Sequence, residues 1–229
     1  MTAMPDDPHD VDAWERTIAE RLGALRDRIV RAGGSDVTLL AVSKGHPVEA
    51  VLGAQRLGLD TFGENYAQDL AAKHAHLLEV GAPVPEWHFI GQLQSNKVRQ
   101  ISQAVAVWQS VDRAKVGTEI AKRAPGARVF AQVNLADDPN KAGCTFRELP
   151  ALVDHLRGLG LSVEGLMGVG THADDVATRV GFTRLREAVD AHDLRECSMG
   201  MTDDLELAIA EGSTMVRVGT ALFGPRRRP

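Results

Sequence analysis

Short apolar runs alternate with longer amphipathic stretches along almost the whole chain. The runs are rich in Val, Ile, Leu and Phe, which is typical of buried strands, whereas the stretches between them have helical spacing. The second and seventh runs alone indicate strands only weakly, but they occur at the regular interval set by the other runs and are therefore also predicted as strands. The predicted strands are residues 37–44, 60–64, 87–91, 105–111, 128–135, 163–170, 195–201 and 215–224.

Helices are predicted in the intervals between these strands. A further amphipathic helix over residues 11–32 precedes the first strand and stops at two consecutive glycines. Its apolar positions Ile18, Leu22, Leu25 and Ile29 follow helical spacing, which predicts one buried face. The other predicted helices are residues 48–57, 67–79, 96–103, 113–124, 146–159, 176–192 and 203–211.

Eight strands that alternate with helices favour parallel pairing through right-handed crossovers. A closed barrel needs about this many units, although 229 residues is compact for one, and an open doubly wound sheet is the competing architecture. The glycine fingerprint of that sheet, G-x-G-x-x-G, is absent from the first strand–helix turn. We therefore predict an α/β fold in which residues 1–229 form one domain, a (β/α)8 TIM barrel with an extra N-terminal helix.

The charge, the cysteine content and the lengths of the apolar segments limit which kinds of partner the protein can have. The chain has 26 Lys and Arg against 31 Asp and Glu, a net charge of −5, so it has no basic excess for a phosphate backbone. Its two cysteines, Cys144 and Cys197, lie far apart, which fits a reducing compartment. No apolar segment approaches the ~20 residues of a membrane span. We expect a cytoplasmic monomer with no nucleic-acid, membrane or metal partner.

The first candidate functional residue is Lys44, at the end of the first predicted strand. Functional groups of such barrels come from the C-terminal ends of the strands and the loops that follow. A partly desolvated lysine at that end favours the neutral amine, the form that makes a Schiff base. The alternative is a lysine that leaves the strand toward solvent.

The last two strands supply residues suited to a phosphate. Ser198, Gly200 and Met201 close the seventh predicted strand, and Gly219 and Thr220 lie in the eighth. Glycines allow close backbone approach, and barrels often bind a phosphate after strands seven and eight. The alternative is that both glycines only serve tight turns and packing.

Arg217 is predicted to point into the barrel. Strand alternation in VRVGT puts the flanking valines on one face and Arg217 with Gly219 on the other. An interior charge requires a partner, which is either a ligand or an acid such as Glu64 at another strand end. A Schiff-base lysine, a phosphate cradle and an interior arginine together suggest pyridoxal 5′-phosphate (PLP).

Ordered motifs over nearly the whole chain resemble the pyridoxal phosphate homeostasis proteins, also called YggS-type or PROSC-type proteins. The motifs are LLAVSK at 39–44, FGENYAQ at 62–68, EWHFIGQLQSNK at 86–97, SVDR at 110–113, QVN at 132–134, NKAG at 140–143, GLM at 165–167 and SMGMTDDLELAIAEGSTMVRVGTALFG at 198–224. The chain departs from the family pattern at Gly45, in the loop 168–175 and at Cys197, which affects the rim of the pocket.

The resemblance implies a barrel similar to the N-terminal domain of alanine racemase, with PLP held as an internal aldimine on Lys44. Arg217 would then face the pyridine nitrogen, and Asn65 would lie near the ring. His88 and Asn134 are on matching strands. The residues implied around the phosphate are Ser198, Gly200, Met201, Gly219 and Thr220.

Two functions follow from this resemblance. The first is a PLP-binding protein of intracellular vitamin B6 homeostasis, which hands the cofactor to apo-enzymes and has no dedicated catalysis. The second is a small PLP enzyme such as an amino-acid racemase, with Lys44 as one base and Tyr66 or His172 as the other. Racemases take the second base from another domain, for which this chain has no counterpart, so the first function is preferred.

Overall fold

Eight parallel strands form a closed barrel in the computed structural model, which describes residues 4–136, 138, 140–171 and 174–225. The strands pair in sequence order, and the eighth closes on the first, with Leu40 opposite Arg217. This confirms the predicted barrel and excludes the open sheet. The strands are β1 Thr38–Val42, β2 Thr61–Glu64, β3 Glu86–Phe89, β4 Val105–Val111, β5 Arg128–Val133, β6 Ser162–Gly168, β7 Glu196–Ser198 and β8 Met215–Val218.

Helices connect the strands and surround the barrel, and each predicted helix is present within a few residues of its expected bounds. The helices are α1 Val11–Arg31, α2 Val48–Arg56, α3 Ala67–Glu79, α4 Ser95–Ile101, α5 Ala114–Arg123, α6 Leu149–Gly158, α7 Asp175–Ala191, α8 Leu205–Ala210 and α9 Thr220–Phe223. None of those in the described ranges is long and apolar enough to cross a membrane.

The prediction of an eighth strand through residue 224 is wrong at its C-terminal end. The strand stops at Val218, and residues 220–223 form the short helix α9, in which Leu222 N and Phe223 N donate to the Gly219 carbonyl. The apolar letters of this segment fit either structure, because a run this short has no clear period.

Alternation along the strands divides the core into two layers. Outward residues such as Phe62, Trp87 and Val216 pack under the helices in one large cluster. Inward residues fill the barrel as a smaller cluster made of Leu40, Val107, Phe130, Met167 and Met215. A barrel of this size is a packed interior rather than a pore. Any polar side chain that also points inward must therefore find its hydrogen-bond partners inside the barrel.

Helix α1 packs mainly against α2 and α9, and the four predicted core positions on it are buried. The Asp10 carboxylate caps its first turn by accepting from Ala13 N at 2.9 Å. Trp14, fully buried in the same helix, meets His46 edge-on with ring centroids 5.7 Å apart, and His46 contacts Phe223 of α9 at 5.4 Å. The extra helix thus reaches the loop that follows β1.

Both cysteines are buried. Burial raises the pKa of the Cys144 thiol and of the Cys197 thiol to about 12. Each is therefore a thiol rather than the reactive thiolate at neutral pH, as in structural cysteines.

Candidate functional site

A cavity of about 420 Å³ opens at the C-terminal end of the barrel. Its volume lies within the usual range for small-ligand sites, and its position matches the functional end of such barrels. The cavity is lined by Val42, Lys44, His46, Asn65, Ile90, Met167, Val169, Met201, Thr202, Asp203, Arg217, Gly219 and Thr220.

Most of the predicted site residues converge on this cavity although they come from distant parts of the chain. Two of the eight are not among the lining residues: Ser198, the last residue of β7, and Gly200, two residues later, are both buried. Those that line it are Lys44, Asn65, Met201, Arg217, Gly219 and Thr220.

A buried ion pair lies directly behind Lys44 and Asn65. Lys73 of α3 pairs with Glu64 at the end of β2, and both side chains are almost fully buried. The Ser43 hydroxyl donates to Glu64 Oε1 at 2.8 Å, and Lys73 Nζ donates to the Ser43 carbonyl at 2.8 Å. Because Ser43 precedes Lys44 and Glu64 precedes Asn65, this network fixes the backbone of both cavity residues.

The pairing of Glu64 with Lys73 rules out one alternative for Arg217, an ion pair with Glu64. Sequence reasoning missed this role of Lys73, yet a signal was present. Lys73 lies three residues after Leu70 and four before Leu77, so it shares the buried face of α3. A lysine on such a face needs a buried partner.

Arg217 points into the barrel, as alternation predicted. Its Nη1 donates to the Ser198 carbonyl at 2.7 Å and to the Ser198 hydroxyl at 2.8 Å, and its Nη2 donates to the Gly168 carbonyl at 2.6 Å. Burial lowers the pKa of Arg217 to about 10, against the opposing effect of nearby Asp204. The guanidinium therefore remains a cation at neutral pH.

Gly200 permits the chain to turn between β7 and α8. Its φ is +91°, a conformation that L side chains rarely adopt, and an added Cβ would lie 2.5 Å from Ala208 Cβ. Its carbonyl accepts from Arg217 N at 2.9 Å. In this structure Gly200 and the Ser198 hydroxyl support Arg217, and their predicted position around a phosphate stays a prediction.

The loop after β7 is fixed from two sides. Met201 N donates to Asp204 Oδ1 at 2.5 Å, and the Thr202 carbonyl accepts from Arg28 of α1 at 3.0 Å. Arg28 also pairs with Glu206 at 2.7 Å. On the neighbouring strand β8, the next loop leads into α9, which begins at Thr220, a residue exposed toward solvent. The two loops therefore line the cavity side by side.

Asn65 carries a buried polar atom at the edge of the cavity. Its Oδ1 is buried without a hydrogen-bond partner among the described residues, although Asn65 lines the cavity. A Cβ on Gly91 would lie 1.9 Å from the Asn65 carbonyl oxygen, so this loop requires glycine there. A buried amide oxygen without a partner costs free energy, so this side chain would gain from a rotation that brings the oxygen to a donor.

Other residues singled out in the sequence lie elsewhere. His88 is buried inside the barrel, and Asn134 lines a separate cavity of about 290 Å³ together with Lys141. Tyr66 is 51% exposed and is not among the lining residues of the larger cavity. His172 lies outside the described residues.

Several lining residues were not predicted, among them His46, Ile90 and Met167. Ile90 and Met167 belong to apolar runs at strand ends, where the rule that selected Lys44 would also have found them. They supply the apolar part of the cavity wall.

The fold and the site define a barrel of the alanine racemase N-terminal type. A family model described as alanine racemase, N-terminal domain, matches residues 16–227. Alanine racemase from Corynebacterium glutamicum shares the fold with a TM-score of 0.70 at 16% identity, covering 93% of this chain and 62% of the racemase.

Closer relatives narrow this class to one family. The pyridoxal phosphate homeostasis protein of Pseudomonas aeruginosa is 43% identical over 224 residues, covering 92% of this chain and 96% of that protein. PipY of Synechococcus elongatus, solved with PLP bound, superposes with a TM-score of 0.77 at 34% identity, covering 90% of this chain and all of PipY. The chain belongs to the pyridoxal phosphate homeostasis protein family.

The buried ion pair yields a stability prediction. Replacing Lys73→Met leaves the Glu64 carboxylate buried without its cation, which we expect to lower the free energy of unfolding by about 3 kcal/mol. Adding Glu64→Gln to that variant removes the uncompensated charge and should restore part of the loss. Urea denaturation measures both effects, with the exposed Lys122→Met as the matched control. A Lys73→Met protein as stable as this control would contradict the assignment.

Proposed function

We propose that this chain binds PLP in the larger cavity, with Lys44 as the Schiff-base lysine, and holds it in reserve for other proteins. The observation that carries the proposal is that Lys44 and Arg217 line one cavity of about 420 Å³. An aldehyde and a pyridine nitrogen are the two ends of the PLP ring that such groups would recognise. The relative solved with PLP bound supports the choice of cofactor.

Each predicted residue then has a part in holding the cofactor. Arg217 would donate to the pyridine nitrogen, and the Asn65 amide would contact the ring region. The loops around Met201, Gly219 and Thr220, with Ser198 and Gly200 behind them, would surround the phosphate. Asp203 also lines this end, and its carboxylate must turn toward solvent to admit an anion.

The role of Arg217 bears on whether the protein catalyses a reaction. When bound, PLP supplies an electron-withdrawing ring whose strength depends on protonation of its nitrogen. Arg217 stays cationic at neutral pH and so opposes that protonation. We therefore propose storage and delivery of PLP without dedicated turnover, in preference to a racemase.

The proposal extends to the cellular setting. Residues 1–229 would act as a single cytoplasmic PLP-binding domain, as a monomer, with apo-enzymes that need PLP as its recipients. The reserve must be reversible, and Thr220, which is exposed and lines the cavity, marks the side on which the cofactor would leave.

The first test is the covalent site of the cofactor. We expect the wild-type protein incubated with PLP to absorb in the visible region, to bleach with borohydride and to carry the reduced label on the Lys44 peptide. Lys44→Ala should lose the band and the label because no other lysine lines the cavity among the described residues.

Lys141→Ala is the most demanding control for this experiment, because Lys141 lines the neighbouring smaller cavity. It should keep both the band and the label. If the Lys44→Ala protein still carried the reduced label, the assignment of Lys44 as the Schiff-base lysine would be wrong.

Storage and enzyme activity make opposite predictions about the α-proton of amino acids. For storage, the loaded protein in D₂O should exchange the α-proton of alanine no faster than free PLP does, as measured by NMR. It should also activate an apo-enzyme while losing its own visible band. Exchange about a hundredfold faster than free PLP, the scale of general acid–base assistance, would instead establish an enzyme.

A further inference from the structure

A chain of hydrogen bonds crosses the barrel interior from the cavity to the opposite end. Arg217 Nη1 donates to Ser198 Oγ at 2.8 Å, and Ser198 Oγ donates to Gln109 Oε1 at 2.7 Å. Gln109 Nε2 lies 2.6 Å from His88 Nδ1, and His88 Nε2 lies 3.0 Å from Glu86 Oε1. We call these five residues the interior chain. It joins strands β8, β7, β4 and β3.

The middle of the interior chain is sealed from water. Ser198 and Gln109 are fully buried, His88 is 1% exposed, and only the Glu86 end reaches solvent, with 40% of its side chain exposed. Gln109 is also held in place by Met215, whose sulfur lies 3.1 Å from Nε2. Since water cannot satisfy these atoms, each depends on its neighbour in the chain.

The donors and acceptors of the interior chain fix one another. A serine hydroxyl has one proton, so donating it to Gln109 leaves Ser198 Oγ as an acceptor for Arg217. The Gln109 amide nitrogen must then face His88, which makes Nδ1 the acceptor and puts the ring proton on Nε2. That proton is donated to Glu86. The bonds therefore run in one direction, from a cation to a carboxylate.

Glu86 is suited to end such a chain. Its hydrogen bond with His88 lowers the pKa of the carboxyl group to about 2. Arg128 donates to Glu86 at 2.9 Å and to Glu164 at 2.8 Å, which holds the carboxylate at the N-terminal end of the barrel. The end group stays an acceptor at all physiological pH values.

We propose that His88 and Gln109 are positioning residues for the cofactor's pyridine nitrogen, acting through Ser198 on the Arg217 guanidinium. This inference rests on the proposed function, because it requires PLP in the cavity with its nitrogen toward Arg217. The two Ser198 contacts and the Gly168 contact set the direction of the guanidinium. If Gln109 no longer holds the Ser198 hydroxyl, that hydroxyl can rotate away from Arg217. The guanidinium then loses one of its three contacts and is held less firmly against the pyridine ring.

The test cuts the interior chain far from the cavity. His88→Leu removes both ring nitrogens, whereas His88→Gln keeps an acceptor for Gln109 and a donor for Glu86. Each variant is loaded with PLP labelled with ¹⁵N in the ring, and the nitrogen resonance and the rate of PLP release are measured. Gln132→Leu is the matched control, an inward glutamine on β5 that bonds to the Ala142 carbonyl and lies outside the chain.

We expect His88→Leu to move the ¹⁵N resonance downfield, because the pyridine nitrogen loses the hydrogen bond that the guanidinium donates to it. Release of PLP should accelerate about tenfold, the scale of one buried hydrogen bond. His88→Gln and Gln132→Leu should stay close to wild type. Ser198→Ala cuts the same chain with the loss of one oxygen, should behave like His88→Leu, and replaces it if that variant does not fold.

A wild-type resonance and release rate in the folded His88→Leu protein, or in Ser198→Ala in its place, would overturn this inference and leave the proposed function intact. A wild-type protein that takes up no PLP would overturn both. A shift in Gln132→Leu as large as in His88→Leu would also overturn it, because any buried glutamine would then have the same effect.

Discussion

Moving a guanidinium out of water costs several kcal/mol unless the protein replaces the hydrogen bonds that water provided. Arg217 is in that position inside the barrel, and three acceptors from β6 and β7 surround its donors. The packed part of the interior layer is an apolar cluster, and the hydrogen-bond chain that begins at Arg217 runs beside it to the other end of the barrel. This requirement accounts for a glutamine, a histidine and a serine at positions where such barrels usually hold branched aliphatic residues.

A second buried charge supports the other side of the cavity. Lys73 and Glu64 fix the ends of β1 and β2, from which Lys44 and Asn65 extend. The two networks differ in their effect. The ion pair fixes the backbone next to Lys44 and Asn65, so it sets the positions from which these two side chains extend. The interior chain instead holds the Arg217 side chain itself. A site that binds by pre-arranged polar groups needs both kinds of support.

Much of the fold could be predicted because eight apolar runs with helices between them fit few topologies. The inward direction of Arg217 followed from alternation, and Lys44, Gly219 and Thr220 followed from the rule that barrel strands carry function at their C-terminal ends. The hydrogen-bond chain behind Arg217 did not follow from the sequence. Ser198 and Gln109 are 89 residues apart, and their contact depends on strand register and on the shift between Trp108 and Val111, which no local pattern encodes. The prediction of the end of β8 was wrong for a different reason, because the four residues of α9 are too few to show a helical or a strand period.

We propose that two residues lining the cavity define its chemistry, Lys44 by binding the aldehyde of PLP and Arg217 by facing the pyridine nitrogen. A crystal structure of the PLP-loaded protein tests it most directly. We predict a bond between Lys44 Nζ and the aldehyde carbon, with the pyridine nitrogen within hydrogen-bond distance of Arg217 and the Ser198 contacts retained. A cofactor turned so that its phosphate meets Arg217, or one bound in the smaller cavity beside Lys141, would contradict the account.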